Sequence, residues 1–249
     1  MFETIWKIQS SSLMSLPRQL SFSFRSLVAR EPALWILYQP YLWWGQMKRK
    51  TYYGDVEEGI VTPDTELVID GFQGSANSFA VAEFKRSQTR HVKLLHHRHA
   101  PVAIIRAIEQ GIPVLLTIRE PLDTVISLTS RWPHVSANQA LKSYIGFYTK
   151  LKPYAPYYVV STFEQTTQHL DRVVQVVNAK FSTNFDLVDS ATVNEESRVK
   201  ARNPEQARRD ALKQDNMKEL AAAKNAQLLA KANELYRTFE AFAQQTMKP

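Results

Sequence analysis

Three short stretches carry the residues whose types and spacing could do chemistry: "GFQGSANS" at 71–78, "HHRHAP" at 96–101 and "IREPLDTVIS" at 118–127. The first is a run of small residues after an apolar segment. Such a run lets backbone N–H groups converge on an anion where a helix begins. Ser75, Asn77 and Ser78 can add side-chain hydrogen bonds. Set against the ATP-type loop G-x-x-x-x-G-K-[ST], Gly71 and Ser78 keep the outer register, while Ala76 stands for the second glycine and Asn77 for the lysine. That lysine reaches the β and γ phosphates, so its loss argues against ATP or GTP hydrolysis. The competing reading is a plain strand-to-helix turn capped by Ser75 or Asn77.

The second stretch belongs to an uneven cluster, because four of the six histidines lie between 91 and 99. On an extended segment His97 and His99 point to the same side. A histidine has the pKa range of a general base. Metal ligation is the lesser option, since no carboxylate lies in the segment, and histidines half-exposed at a strand end are the competing reading. In the third stretch, the planar fork of Arg119 suits a phosphate. Asp123 and Ser127 share one helix face at i, i+4, and a structural Arg119–Asp123 pair is the alternative.

Elements must hold these stretches in place. "ELVIDGF", "VKLLHHRH", "IPVLLTI" and "YYVVST" read as four strands. Between and after them, "NSFAVAEFKRS", "PVAIIRAIEQG", "PLDTVISLTSRW", "SANQALKSYIGFYTKL" and "FEQTTQHLDRVVQVVNAKF" read as helices, with Pro101 and Pro121 at helix starts, Ser136 as a cap and Gly111 as a stop. This alternation predicts an α/β fold with a mainly parallel sheet flanked by helices. Ligands of such sheets bind beyond the carboxyl ends of the strands, which is where all three stretches fall.

Residues 1–60 read as an N-terminal extension and not as a separate domain. Residues 61–249 read as one α/β domain with a helical C-terminal tail, whose Met217, Leu220, Leu228, Leu235, Phe239 and Phe242 form an apolar stripe. The aromatic segment from Trp35 to Trp44, followed by "KRK" at 48–50, is compatible with a membrane interface, but burial under the main domain is the preferred reading.

Of 249 residues, 44% are hydrophobic and 22% charged, as in ordinary globular proteins. The lack of cysteine excludes disulfides and thiolate metal sites. A net charge of +7 favours anionic partners, although no nucleic-acid recognition motif is present. No apolar run reaches the length of a membrane span, and no basic start with an apolar run marks a secretory signal, so a cytoplasmic location is expected.

Taken together and in order, the three stretches resemble the sulfotransferases that use 3′-phosphoadenosine 5′-phosphosulfate. "REPLDTVIS" matches that family's R-[DE]-P-x-D-x-x-x-S from Arg119 to Ser127, and "HRHAP" is similar to its K-T-H-x-P. Ser75, Ala76, Asn77, Ser78 and Phe79 take the last five places of its P-[KR]-S-G-T-[TS]-[WF], where Gly74 stands for the basic residue. Phe163 and Glu164 resemble its Y-E-D, and the likeness runs over about residues 65–180. The basic "SRVKARNP" at 197–204 is a candidate substitute for the family's late Gly-rich donor loop.

The resemblance implies a P-loop NTPase-like sulfotransferase fold. It implies that His99 is the catalytic base and that Gly74, Ser75, Ala76, Asn77, Ser78 and Phe79 hold the 5′-phosphosulfate. It also implies that Arg119 and Ser127 hold the 3′-phosphate, that the acceptor is a hydroxyl of a glycan or small metabolite, and that no metal is needed. The missing loop cation keeps a second expectation open, a sulfotransferase-like nucleotide-binding protein without turnover. A phosphotransferase is a third, against which the missing lysine speaks.

Overall fold

The computed structural model describes residues 17–40, 43, 61–188 and 206–246. Four strands, β1 (Leu67–Gly71), β2 (Leu94–His96), β3 (Val114–Ile118) and β4 (Val159–Thr162), form one parallel sheet in the order β2-β1-β3-β4. All residues of the four strands are buried, which is why they read as largely continuous apolar runs instead of alternating ones. In register, Val68 lies between Leu95 of β2 and Val114 of β3.

Helices cover both faces. On one, α1 (Asn77–Ser87) and α6 (Leu170–Phe181) pack Ala80, Phe84, Val173 and Val177 against Leu67, Ile69, Leu115 and Val159. On the other, α2 (Pro101–Glu109), α3 (Pro121–Arg131) and α4 (Ala137–Leu151) join the core of Val68, Leu95, Leu116 and Val160. A short α5 (Phe163–Gln168) follows β4 directly. The chain moves from β1 to β2 over the first face and from β2 through β3 to β4 over the second, which keeps one hand for all crossovers. The direction of travel therefore reverses between β1 and β3, where sheets of this kind open a crevice.

Local signals account for the helix ends. Pro101 and Pro121 occupy first-turn positions, where their missing N–H is not needed. Ser136 caps α4 in a reciprocal box with Gln139, as its position predicts, and Thr162 does the same with Gln165. The tail forms α7 (Gln206–Ala221) and α8 (Ala223–Thr246). Leu220, Leu235 and Phe239 of the expected stripe are buried and Leu228 and Phe242 pack against them, whereas Met217 is exposed.

Residues 17–30 and 35–40 are helical, and Phe22, Val28, Trp35 and Tyr38 join the same core as α2–α4. Burial of the aromatic segment holds for one side only, because Ile36, Leu37 and Trp43 are exposed. Residues 1–16 of the N-terminal extension, the "KRK" at 48–50 and the basic "SRVKARNP" lie outside the described residues. Among the described residues no helix is long and apolar enough to cross a membrane.

Candidate active site

The turn between β1 and α1 is built by close approach. A Cβ on Gly71 would stand 2.1 Å from the Thr117 carbonyl oxygen of β3, so only glycine lets the two strand ends meet. The turn then passes through the left-handed region twice, at Gly74 (φ 93°) and Ala76 (φ 71°). A non-glycine residue there costs roughly 1–2 kcal/mol, so surrounding bonds must hold Ala76 in place. They come from Ser75 and Asn77. The Ser75 hydroxyl donates to Phe72 O at 2.6 Å and lies 3.0 Å from Thr117 Oγ1. The Asn77 amide donates to Gly71 O and Phe72 O at 3.2 and 3.3 Å and accepts from the Thr117 hydroxyl.

The expectation that Ser75 or Asn77 caps α1 is therefore corrected. The N-cap is Ala76, with no side-chain cap bond. The expectation that Ser75 and Asn77 turn their side chains to an anion is corrected too, since both are buried and bonded within the turn. A ligand is left with the Ser78 hydroxyl and the N–H groups opening α1, which no carbonyl inside the helix can receive. Phe79 packs against the core face beneath α1.

The second strand end differs from the expected extended run. β2 stops at His96, and His97 and His99 take φ of 56° and 51°. They do not alternate along a strand. The cause is Asp70, the fourth residue of β1, which is fully buried. Its Oδ2 accepts from the N–H groups of Arg98 (3.1 Å) and His99 (2.8 Å), and its Oδ1 from Gly71 N–H (2.9 Å). The left-handed residues fold successive amides around one carboxylate, a backbone nest. Burial pushes the Asp70 carboxyl up, but the bond and charge of His99, the Gly71 amide and the charge of His97 outweigh it and hold its pKa below the usual value.

Asp70 also orients the candidate base. His99 Nδ1 lies 2.8 Å from Gly71 O and 3.3 Å from Asp70 Oδ1, so that nitrogen carries the proton and donates it inward. Nε2 is then the basic nitrogen and has no hydrogen-bond partner among the described residues. Here the Gly71 carbonyl and the buried Asp70 carboxylate together set the tautomer and ring angle, and a base oriented by a third group in this way is a recurring device in proton transfer. Beside it, His97 Nε2 lies 2.8 Å from the Ser78 hydroxyl.

At the third strand end, Arg119 Nη1 donates to Gly74 O at 3.3 Å and Nη2 pairs with Asp123 at 2.9 Å. The structural pair and the approach to the turn thus coexist. The guanidinium lies 4.2 Å over the Phe163 ring, and Nε is buried without a hydrogen-bond partner among the described residues. Ser127 comes to the same point, its Oγ 3.3 Å from where a Gly74 Cβ would stand. That contact and the positive φ strain any side chain at position 74. Tyr144 and Thr124 hydroxyls fix the Arg119 carbonyl from below.

A cavity of about 660 Å³ opens beside the turn, and Gln73, Ser78, His97, Arg98 and His99 line one wall. Arg119 and Ser127 lie outside that lining, on the Gly74 side of the turn. Ser78 and His99 on one side, and Arg119 and Ser127 on the other, thus flank one turn. Glu164 is exposed at the start of α5. Asp70 and Thr117 are the two working residues that motif reasoning passed over. The available signal was a carboxylate and a hydroxyl inside strands otherwise wholly apolar, where each needs a partner. Among the described residues no group of three His, Cys, Asp or Glu side chains could hold a metal ion.

Comparison of the chain with protein-family models, curated proteins and solved structures gives no match.

Proposed function

We propose that this chain is a sulfotransferase, moving a sulfonyl group from 3′-phosphoadenosine 5′-phosphosulfate to an acceptor hydroxyl. In this reading the sheet is the P-loop-like core of that family, and the β1–α1 turn is its phosphosulfate loop. The observation that carries it is the grouping of three strand ends around Gly74. Arg119 and Ser127 meet the turn on one side, and His99, with Nδ1 committed inward, borders a cavity on the other.

The chemistry follows from these groups. The first N–H groups of α1 and the Ser78 hydroxyl receive the 5′-phosphosulfate, and Arg119 and Ser127 receive the 3′-phosphate and hold the donor in register. His99 Nε2 takes the acceptor's hydroxyl proton. The oxygen forms its bond to sulfur as the bond from sulfur to the bridging oxygen breaks, and the bisphosphate leaves with that electron pair. Negative charge grows on the bridging oxygen. A fixed donor or cation there is worth roughly 3–4 kcal/mol in such reactions. Gly74 supplies none, so the charge must come from His97 beside Ser78 or from Arg98 on the same cavity wall.

A second reading is favoured by the same residue. The backbone at Gly74 strains any side chain, a lysine or arginine included, which suits a domain that binds the nucleotide and does not turn it over.

Calorimetric titration with 3′-phosphoadenosine 5′-phosphate, the spent donor, tests both readings without knowledge of the acceptor. We expect micromolar binding that ATP does not reproduce. Arg119→Ala should weaken it by about 1.5–3 kcal/mol, roughly ten- to a hundredfold, the worth of a hydrogen bond to a charged group. No binding by well-folded protein would sink both readings. Binding without sulfonyl transfer to any acceptor would select the second.

A further inference from the structure

The helix of residues 17–30 carries two apolar faces. Phe22 and Ala29, at i and i+7, lie in the buried core. On the opposite side Leu20, Phe24 and Leu27 recur at i, i+4 and i+7 and are 63%, 60% and 39% exposed. A helix that lies on a globular domain ordinarily has one apolar stripe and a polar outer face. Here the outer face is a second stripe of large side chains. The segment that follows is divided in the same way, with Trp35 and Tyr38 buried and Ile36, Leu37 and Trp43 exposed. Six of the ten exposed large hydrophobic side chains among the described residues thus fall between 20 and 43, and the other four are scattered from 122 to 217. Single exposed apolar side chains are ordinary, whereas their concentration on one segment marks a contact surface.

We infer that this segment docks on an anionic lipid bilayer, with the helix of residues 17–30 lying in the interface plane and Leu20, Phe24 and Leu27 entering the acyl boundary. Charge selects this occupant together with the stripe. Residues 1–50 hold seven basic and two acidic side chains, which is +5 of the chain's net +7, and the rest of the chain is nearly balanced. The count already includes acids paired within the segment, such as Glu31 with Arg30. Interfacial helices bind by the sum of buried apolar area and attraction to anionic headgroups, and basic residues close to the membrane each add to that attraction. An exposed tryptophan such as Trp43 suits the headgroup level.

A second copy of the chain fits less well, because pairing like faces would bring two segments of the same strong charge together. Docking also needs no folding step. Phe22 and Ala29 already hold the helix on the core, so its outer stripe is presented in advance. The surface is independent of the transfer reaction, since Leu20, Phe24 and Leu27 line no part of the cavity beside His99.

The test is flotation of the full chain with vesicles of phosphatidylcholine alone and of phosphatidylcholine with about 30% phosphatidylglycerol, at about 50 mM and about 500 mM salt. Most of the protein should float with the anionic vesicles at low salt, and about fivefold less or below with neutral vesicles or at high salt. The double variant Leu20→Ser, Phe24→Ser alters exposed positions, so it should keep the wild-type thermal midpoint and bind anionic vesicles about tenfold less. Arg18→Glu, also at an exposed position, should weaken anionic binding several-fold. Met217→Ser, an exposed apolar position on α7, should bind as wild type. No flotation with anionic vesicles, equal flotation with neutral ones, flotation that high salt leaves unchanged, or unaltered flotation of both the double variant and Arg18→Glu would overturn the inference. A dimer in sedimentation that the double variant lacks, without vesicle binding, would overturn it in favour of a second copy.

Discussion

At the scale of single residues, Asp70 governs the site's geometry. It binds the Arg98 and His99 amides, holds two histidines in the left-handed region and faces the Nδ1 of the proposed base. Its pKa is held below the ordinary 3.8 in the fold, so the folded state prefers the carboxylate. Its stabilising contribution is complete above the unfolded value and is lost as pH falls through the lower folded value. Asp70→Asn should therefore lower stability at neutral pH by about 1–3 kcal/mol in chemical denaturation. The difference from the wild type should shrink as pH drops below about 4; a gap that stays constant to low pH would contradict the assignment. The sequence offers His99 as a candidate base through its motif. Asp70 was not, because its partners are amides 28 and 29 residues away.

At the scale of elements, the β1–α1 turn decides which side chains a ligand can meet. Its small residues announce a turn, yet their use is set by packing. Ser75 and Asn77 fasten the turn to Thr117, and Gly74 keeps a conformation that L residues resist. Supplying the family's basic residue at this position should therefore fail as a repair. Gly74→Lys is expected to lose about 1–2 kcal/mol of stability in thermal or chemical unfolding and to bind the spent donor more weakly than wild type. Tighter donor binding by this variant would show that the turn can accept the cation. Thr117→Val removes the hydroxyl shared by Ser75 and Asn77 and should cost about 1–3 kcal/mol, read the same way.

At the scale of the whole molecule, the C-terminal helix closes one face. Phe239 is buried between Tyr148 and Tyr158, with ring centres at 5.0 and 6.5 Å, and touches Phe242. Phe239→Ala should destabilise the fold by about 3–5 kcal/mol, measured by denaturant midpoint. A loss under about 1 kcal/mol would mean that α8 is not part of the core. The net charge of +7 read as a general preference for anions. Five of the basic side chains, Arg25, Arg30, Lys85, Arg98 and Arg131, line the cavity beside His99.

The amino-acid sequence by itself determined the order of strands and helices, the parallel sheet they imply and the three polar strand ends that the proposed chemistry uses. Those features are local: apolar runs, proline and glycine punctuation and helical spacing act within a few residues. Only the tertiary structure decided that β2 ends at His96, that Ser75 and Asn77 turn inward, that Gly74 takes a positive φ close to Ser127 and that the Gly71 carbonyl and Asp70 both face His99 Nδ1. Each of these depends on hydrogen bonds or close contacts between residues tens of positions apart, and backbone angles such as those of His97 and His99 exist because a buried carboxylate rewards them.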